Sequence, residues 1–136
     1  MKKILLVTTL LSGLLFAAEH PSEAEIKLKR VQTMQNLEVA MSTLQKAFLY
    51  NNTDLVKEGI TKLRYNIKDV KSFEVKNDKD MKFDATKYAQ TEIGAIDKLA
   101  SEMLSNFESG KKEEVLSGFQ KILNRCVTCH IIVRRW

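Results

Sequence analysis

A chain with one proline and five glycines in 136 residues has too few turn-formers for a sandwich or barrel of short strands. It can make a few long helices, and its apolar residues recur at helical spacing. In the first segment Met34, Leu37, Met41, Leu44 and Phe48 follow at intervals of three and four and end at Asn51-Asn52. Ser22, three residues before Glu25 and just after Pro21, predicts a capping box at the start. A second segment begins near Thr53 or Asp54. It carries Val56, Ile60, Leu63, Ile67, Val70 and Phe73 on one side, with Lys57, Lys62, Lys68 and Lys71 elsewhere. The periodicity lapses over Glu74 to Asp84, a charged connection whose last residue is placed to cap the next helix. A third stripe, Tyr88, Ala89, Ile93, Ile96, Leu99, Met103 and Phe107, stops at Ser109-Gly110. The fourth opens with Glu113 and Glu114, charges that suit the positive end of a helix dipole, and carries Val115, Phe119, Ile122, Cys126 and Val133. Four amphipathic helices in a chain long enough for one domain predict an all-α fold, an antiparallel four-helix bundle.

The N-terminus has the form of an export signal. Lys2 and Lys3 precede an uncharged run from Ile4 to Phe16, and Ala17 and Ala18 come before the first acid, Glu19. We expect residues 1–18 to be removed and residues 19–136 to form the folded domain in the periplasm. The uncharged run is shorter than the ~20 residues that span a bilayer, so no stable membrane span is expected after cleavage. Loss of Lys2 and Lys3 takes the basic count from 22 to 20 against 17 acids, and the formal charge from +5 to +3. The remaining charges alternate in sign, as in Lys57-Glu58 and Lys111-Lys112-Glu113-Glu114, which is the pattern of solvated helix faces. No basic run is interleaved with aromatics, so no nucleic-acid partner is expected. No phosphate loop, internal repeat or conventional enzyme motif occurs, and the chain is not expected to be an enzyme.

The chemistry is concentrated near the C-terminus. Both cysteines lie in Cys126-Val127-Thr128-Cys129-His130, the attachment pattern of c-type haem. Two thiols can add across the two vinyl groups of one porphyrin, and the imidazole that follows can reach its iron. On a helix, at roughly 100° per residue, Cys129 and His130 fall on either side of the direction set by Cys126. A thioredoxin-type thiol pair expects a βαβ context, which this helical pattern lacks. A zinc site wants more ligands, and the only other histidine is His20.

An exported four-helix bundle with Cys-x-x-Cys-His on its last helix, followed four residues after the histidine by Arg134, resembles the cytochrome c-prime family, the class II cytochromes c. Arg30-Val31-Gln32-Thr33-Met34 also resembles the family's first-helix pattern of Arg-x-x-x-hydrophobic. The likeness implies one covalent haem c: thioethers from Cys126 and Cys129, His130 as proximal ligand, Arg134 on the proximal side and Arg30 toward the propionates. High-spin members often have Leu four residues after the first-helix arginine. Low-spin members have a methionine there that binds the iron, and here that position is Met34. A methionine in a helix stripe is also ordinary core filler, and Met41, Met103 and Met81 are further candidates.

Two functions follow from the two states of the sixth iron position. With Met34 bound, the protein would pass single electrons between periplasmic redox partners. With the position open, it would bind nitric oxide or carbon monoxide. The family often forms homodimers through its first helices, and a homodimer is therefore possible here. Arg125, Arg135 and Trp136 could cover the haem edge.

Overall fold

The computed structural model describes residues 21–71, 73, 75 and 82–134. Among them the chain forms four helices and no strand: α1 Glu23–Leu49, α2 Thr53–Val70, α3 Ala85–Glu108 and α4 Lys112–Arg134. The expected signal segment 1–18, together with His20, Met81, Arg135 and Trp136, lies outside the described residues.

The local signals act where the sequence puts them. The Ser22 hydroxyl accepts from the Glu25 N–H, and the Glu25 carboxylate accepts from the Ser22 N–H at 2.6 Å, completing the capping box of α1. Asn51 adopts a left-handed φ of 50°, a conformation asparagine tolerates well. Asn52 then caps α2 by accepting from the Leu55 N–H at 3.1 Å. The pair read as a stop therefore also starts the next helix. Asp84 caps α3 through the Lys87 N–H at 2.9 Å. Gly110, with φ 71°, turns the chain between α3 and α4.

Packing differs from the stripes in two places. The fully packed line of α1 is Thr33, Ala40, Leu44 and Ala47, while Met34, Leu37, Met41 and Phe48 are half-buried along its flank. The cause is close approach, because small residues face α2. A Cβ on Gly59 of α2 would lie 2.7 Å from Leu44 Cγ and 3.2 Å from the Leu44 backbone nitrogen. Phe73, expected on the α2 stripe, comes after the helix has ended at Val70 and is buried from the linker instead. There Thr86 Oγ1 donates to the Val75 carbonyl and accepts from the Val75 N–H, both at 3.1 Å, tying the linker to the start of α3.

A second glycine closes the other hairpin. A Cβ on Gly118 of α4 would run into the Met103 side chain of α3, which is 1% exposed. The bundle is thus two tight antiparallel pairs, α1 with α2 and α3 with α4. They join chiefly through α2 and α3, and α1 and α4 touch least. The largest fully buried side chains of the core are Leu44, Ile60, Leu63, Met103 and Ile122.

These contacts separate the glycines by sign. Overpacking costs roughly 1–3 kcal/mol, more than the ~1 kcal/mol that alanine gains over glycine inside a helix. Gly59→Ala and Gly118→Ala should therefore lower the thermal midpoint. Gly94→Ala, with nothing within 4 Å of the new methyl, should raise it. Three circular-dichroism melts check this, with a shift of about 4 °C for each ~1 kcal/mol expected in a domain of this size.

Candidate functional site

The motif occupies the C-terminal part of α4, a region of the helix with no glycine or proline to break it. Cys126 is half-buried and packs against the core; Cys129 is half-buried; His130 is exposed. Both cysteines are free thiols. Taking the buried Ile122 as zero and roughly 100° per residue, Cys129 lies near −20°, Cys126 near 40° and His130 near 80° around α4. Phe119 falls at about 60° on the same count, and it meets Phe48 of α1 edge to face at 5.3 Å. His130 is therefore on the α1 side of the helix. Leu123 and Val127 share that side, exposed at 45% and 36%.

The opposing flank belongs to α1. Met34 and Met41 lie within about 40° of Phe48 around the α1 axis, on the other side of Leu44 from Ala40 and Ala47. Counting outward from the Phe48–Phe119 contact along antiparallel helices sets Met41 level with Cys126, Leu37 with His130 and Met34 with Val133. At ~1.5 Å per residue both methionines fall within about 6 Å of the level of His130. The motif and the two methionines thus flank the seam between α1 and α4, the adjacent helices that touch least. Met103 does not join them, because it is sealed in the seam between α3 and α4 beneath Gly118.

The arginines divide. Arg30 is half-buried with its guanidinium 5.9 Å from the centre of the Phe73 ring, and its Nε is buried without a hydrogen-bond acceptor. It sits one turn before Met34 on α1. Arg134 is exposed at the end of α4, four residues beyond His130. Arg125 turns the other way and donates from Nη1 to Glu92 Oε2 of α3 at 2.8 Å. Glu92 and Tyr88 are neighbours of the motif that the sequence reading missed, since nothing local to α3 marks a contact made across 33 residues.

Electrostatics keep the motif neutral. Burial, and then the neighbouring Cys129, pushes the Cys126 thiol up to about 11. Burial and then Glu92 raise Cys129 in the same direction. Partial desolvation, and then the Arg134 cation, hold the His130 imidazole below its ordinary value, so that it is neutral at pH 7, the form that can bind a metal. Among the described residues no three His, Cys, Asp or Glu side chains come together to hold a metal ion. No helix among them is long and apolar enough to cross a membrane.

Neither protein-family models, nor curated proteins, nor solved structures give a match to this chain.

The raised thiol has a consequence for stability in the chain without attached cofactor. Folding raises the Cys126 pKa from 9.0 to about 11. The stabilisation is therefore complete below about pH 9 and is lost as the pH rises through the folded value, a change on the order of 2 kcal/mol. Urea melts between pH 8 and 11 should show this alkaline decline, and Cys126→Ala should flatten it.

Proposed function

We propose that this protein is a periplasmic monohaem c-type cytochrome of the class II kind that transfers single electrons. The observation that carries the reading is the arrangement on α4 and α1: a Cys-x-x-Cys-His motif on the flank of one helix and two half-buried methionines on the flank of the other, along the seam where adjacent helices touch least. The residues fit the group in three respects. Cys126 and Cys129 are free thiols one helical turn apart, a spacing from which two thioethers to one porphyrin could form. The exposed apolar Leu123 and Val127 beside His130 offer a surface that a porphyrin would cover. The buried, unpaired Nε of Arg30 is a donor in want of an anionic acceptor, which a haem propionate would supply.

In this reading Cys126 and Cys129 would hold the haem c covalently, and His130 and Met34 would supply the two protein ligands to its iron. Haem bound there supplies a one-electron couple whose potential is raised by a methionine thioether. The protein's part would be to hold the His130 and Met34 side chains on α4 and α1, to exclude a further small ligand and to limit reorganisation between oxidation states. Arg30 anchors the propionate side from α1, and Arg134 adds positive charge on the proximal side. Export to the periplasm accords with a cofactor attached to reduced thiols outside the cytoplasm, and redox proteins there would be its donor and acceptor.

The test is spectroscopic. Expressed with its leader in a host that has haem-attachment machinery, the protein should retain haem through acid-acetone extraction and give a two-thioether pyridine haemochrome. The oxidised form should show the weak near-infrared sulfur-to-iron charge-transfer band, and Met34→Ala should abolish the band and admit carbon monoxide to the reduced form. A band that survives Met34→Ala and disappears in Met41→Ala would move the distal role to Met41. No covalent haem at all would refute the cytochrome reading.

A further inference from the structure

The side of α4 turned away from the methionines carries a feature that haem attachment does not need. Arg125 immediately precedes the first cysteine, and its Nη1 lies 2.8 Å from Glu92 Oε2. The two partners differ in exposure: the Glu92 side chain is 15% exposed and the Arg125 side chain 41%. The anion is thus the inner member and the cation the outer one. Burial is the main cause that raises Cys126, Cys129 and the half-buried Tyr88 one turn before Glu92 on α3, and the Glu92 charge adds to it, second after burial at Cys129 and Tyr88 and least at Cys126. Tyr88 feels Cys129 as well, so Tyr88, Glu92, Arg125 and the two cysteines form one neighbourhood.

We propose that the Glu92–Arg125 pair is an electrostatic positioning element that sets the reduction potential of the iron held by the Cys126-Cys129-His130 motif, Glu92 lowering it and Arg125 raising it. The proposal rests on the haem reading above. Its physical basis is that a ferric centre carries one more positive charge than a ferrous one. A fixed anion nearby favours the oxidised state and a fixed cation the reduced state, more strongly where water is excluded. Because the anion is the less exposed partner, its charge is the less screened. Because the two are hydrogen-bonded, each charge partly cancels the other, and removal of either one uncovers its partner. A purely structural clamp between α3 and α4 would behave differently, since breaking it from either end would loosen the same contact.

Potentiometric titration of the covalently loaded protein and four variants decides between these. Glu92→Gln keeps the size of the side chain and should shift the midpoint upward. Arg125→Gln should shift it downward, and the double variant should return toward the parent. Arg125→Lys keeps the charge and should leave the midpoint in place even where it lowers the melting temperature. Shifts of the same sign from Glu92→Gln and Arg125→Gln, or no shift from Glu92→Gln in a protein that retains its haem, would overturn the proposal. If Arg125→Gln fails to fold, the sign of the Glu92→Gln shift decides. Failure of the underlying reading is distinct, since the parent protein would then show no covalent haem in the haemochrome assay before any potential is measured.

Discussion

Two missing side chains govern the shape of this bundle. At Gly59 and Gly118 the neighbouring helix comes so close that a single Cβ would overlap Leu44 or Met103, and each hairpin is drawn together at that point. Packed interiors tolerate such approach only where volume has been removed on one side. The helices are consequently not evenly spaced. Two tight pairs meet mainly through α2 and α3, and the outer helices α1 and α4 are left as the loosest edge. Half-buried residues collect on that edge because neither helix has a neighbour close enough to cover them.

The candidate site has two unlike sides as a result. Toward α1 it is apolar and polarisable, with methionine thioethers, Leu37, Leu123 and Val127. Toward α3 it is charged, with the Arg125–Glu92 pair and the Tyr88 phenol. Cys126 and Cys129 lie between these sides, close enough to the core that their thiols resist ionisation. A metal ligand and an electrostatic partner can therefore act from opposite faces of one helix without competing for the same space.

Much of the fold was legible because it is written in local chemistry. The capping box at Ser22 and Glu25, the Asp84 cap and the turn at Gly110 each depend on residues a few positions apart. The Cys-x-x-Cys-His spacing is local in the same way, since its three side chains fall within five consecutive residues. Hydrophobic periodicity was less faithful in α1. It put Met34, Leu37, Met41 and Phe48 on one stripe with Leu44, whereas only Leu44 of these is fully packed and the rest of the tightest line is Thr33, Ala40 and Ala47. Phe73 shows a second limit: its spacing fits the α2 stripe, but it is buried beyond the end of the helix, which stops at Val70. The Glu92–Arg125 pair could not be read at all, since α3 and α4 become neighbours only through the turn and the Gly118 contact.

The capping box bears on how precisely the proposed leader would have to be removed. Its reciprocal hydrogen bonds are closed within Ser22–Glu25, and the Ile26 N–H already bonds to the Ser22 carbonyl. The first turn of α1 is thereby satisfied by residues at and after Ser22. A peptidase that cut one or two residues to either side of Ala18 would release the same helix with the same beginning. Heterogeneous N-termini would then be invisible to the fold, and the export machinery would be free to choose its cut by its own preferences.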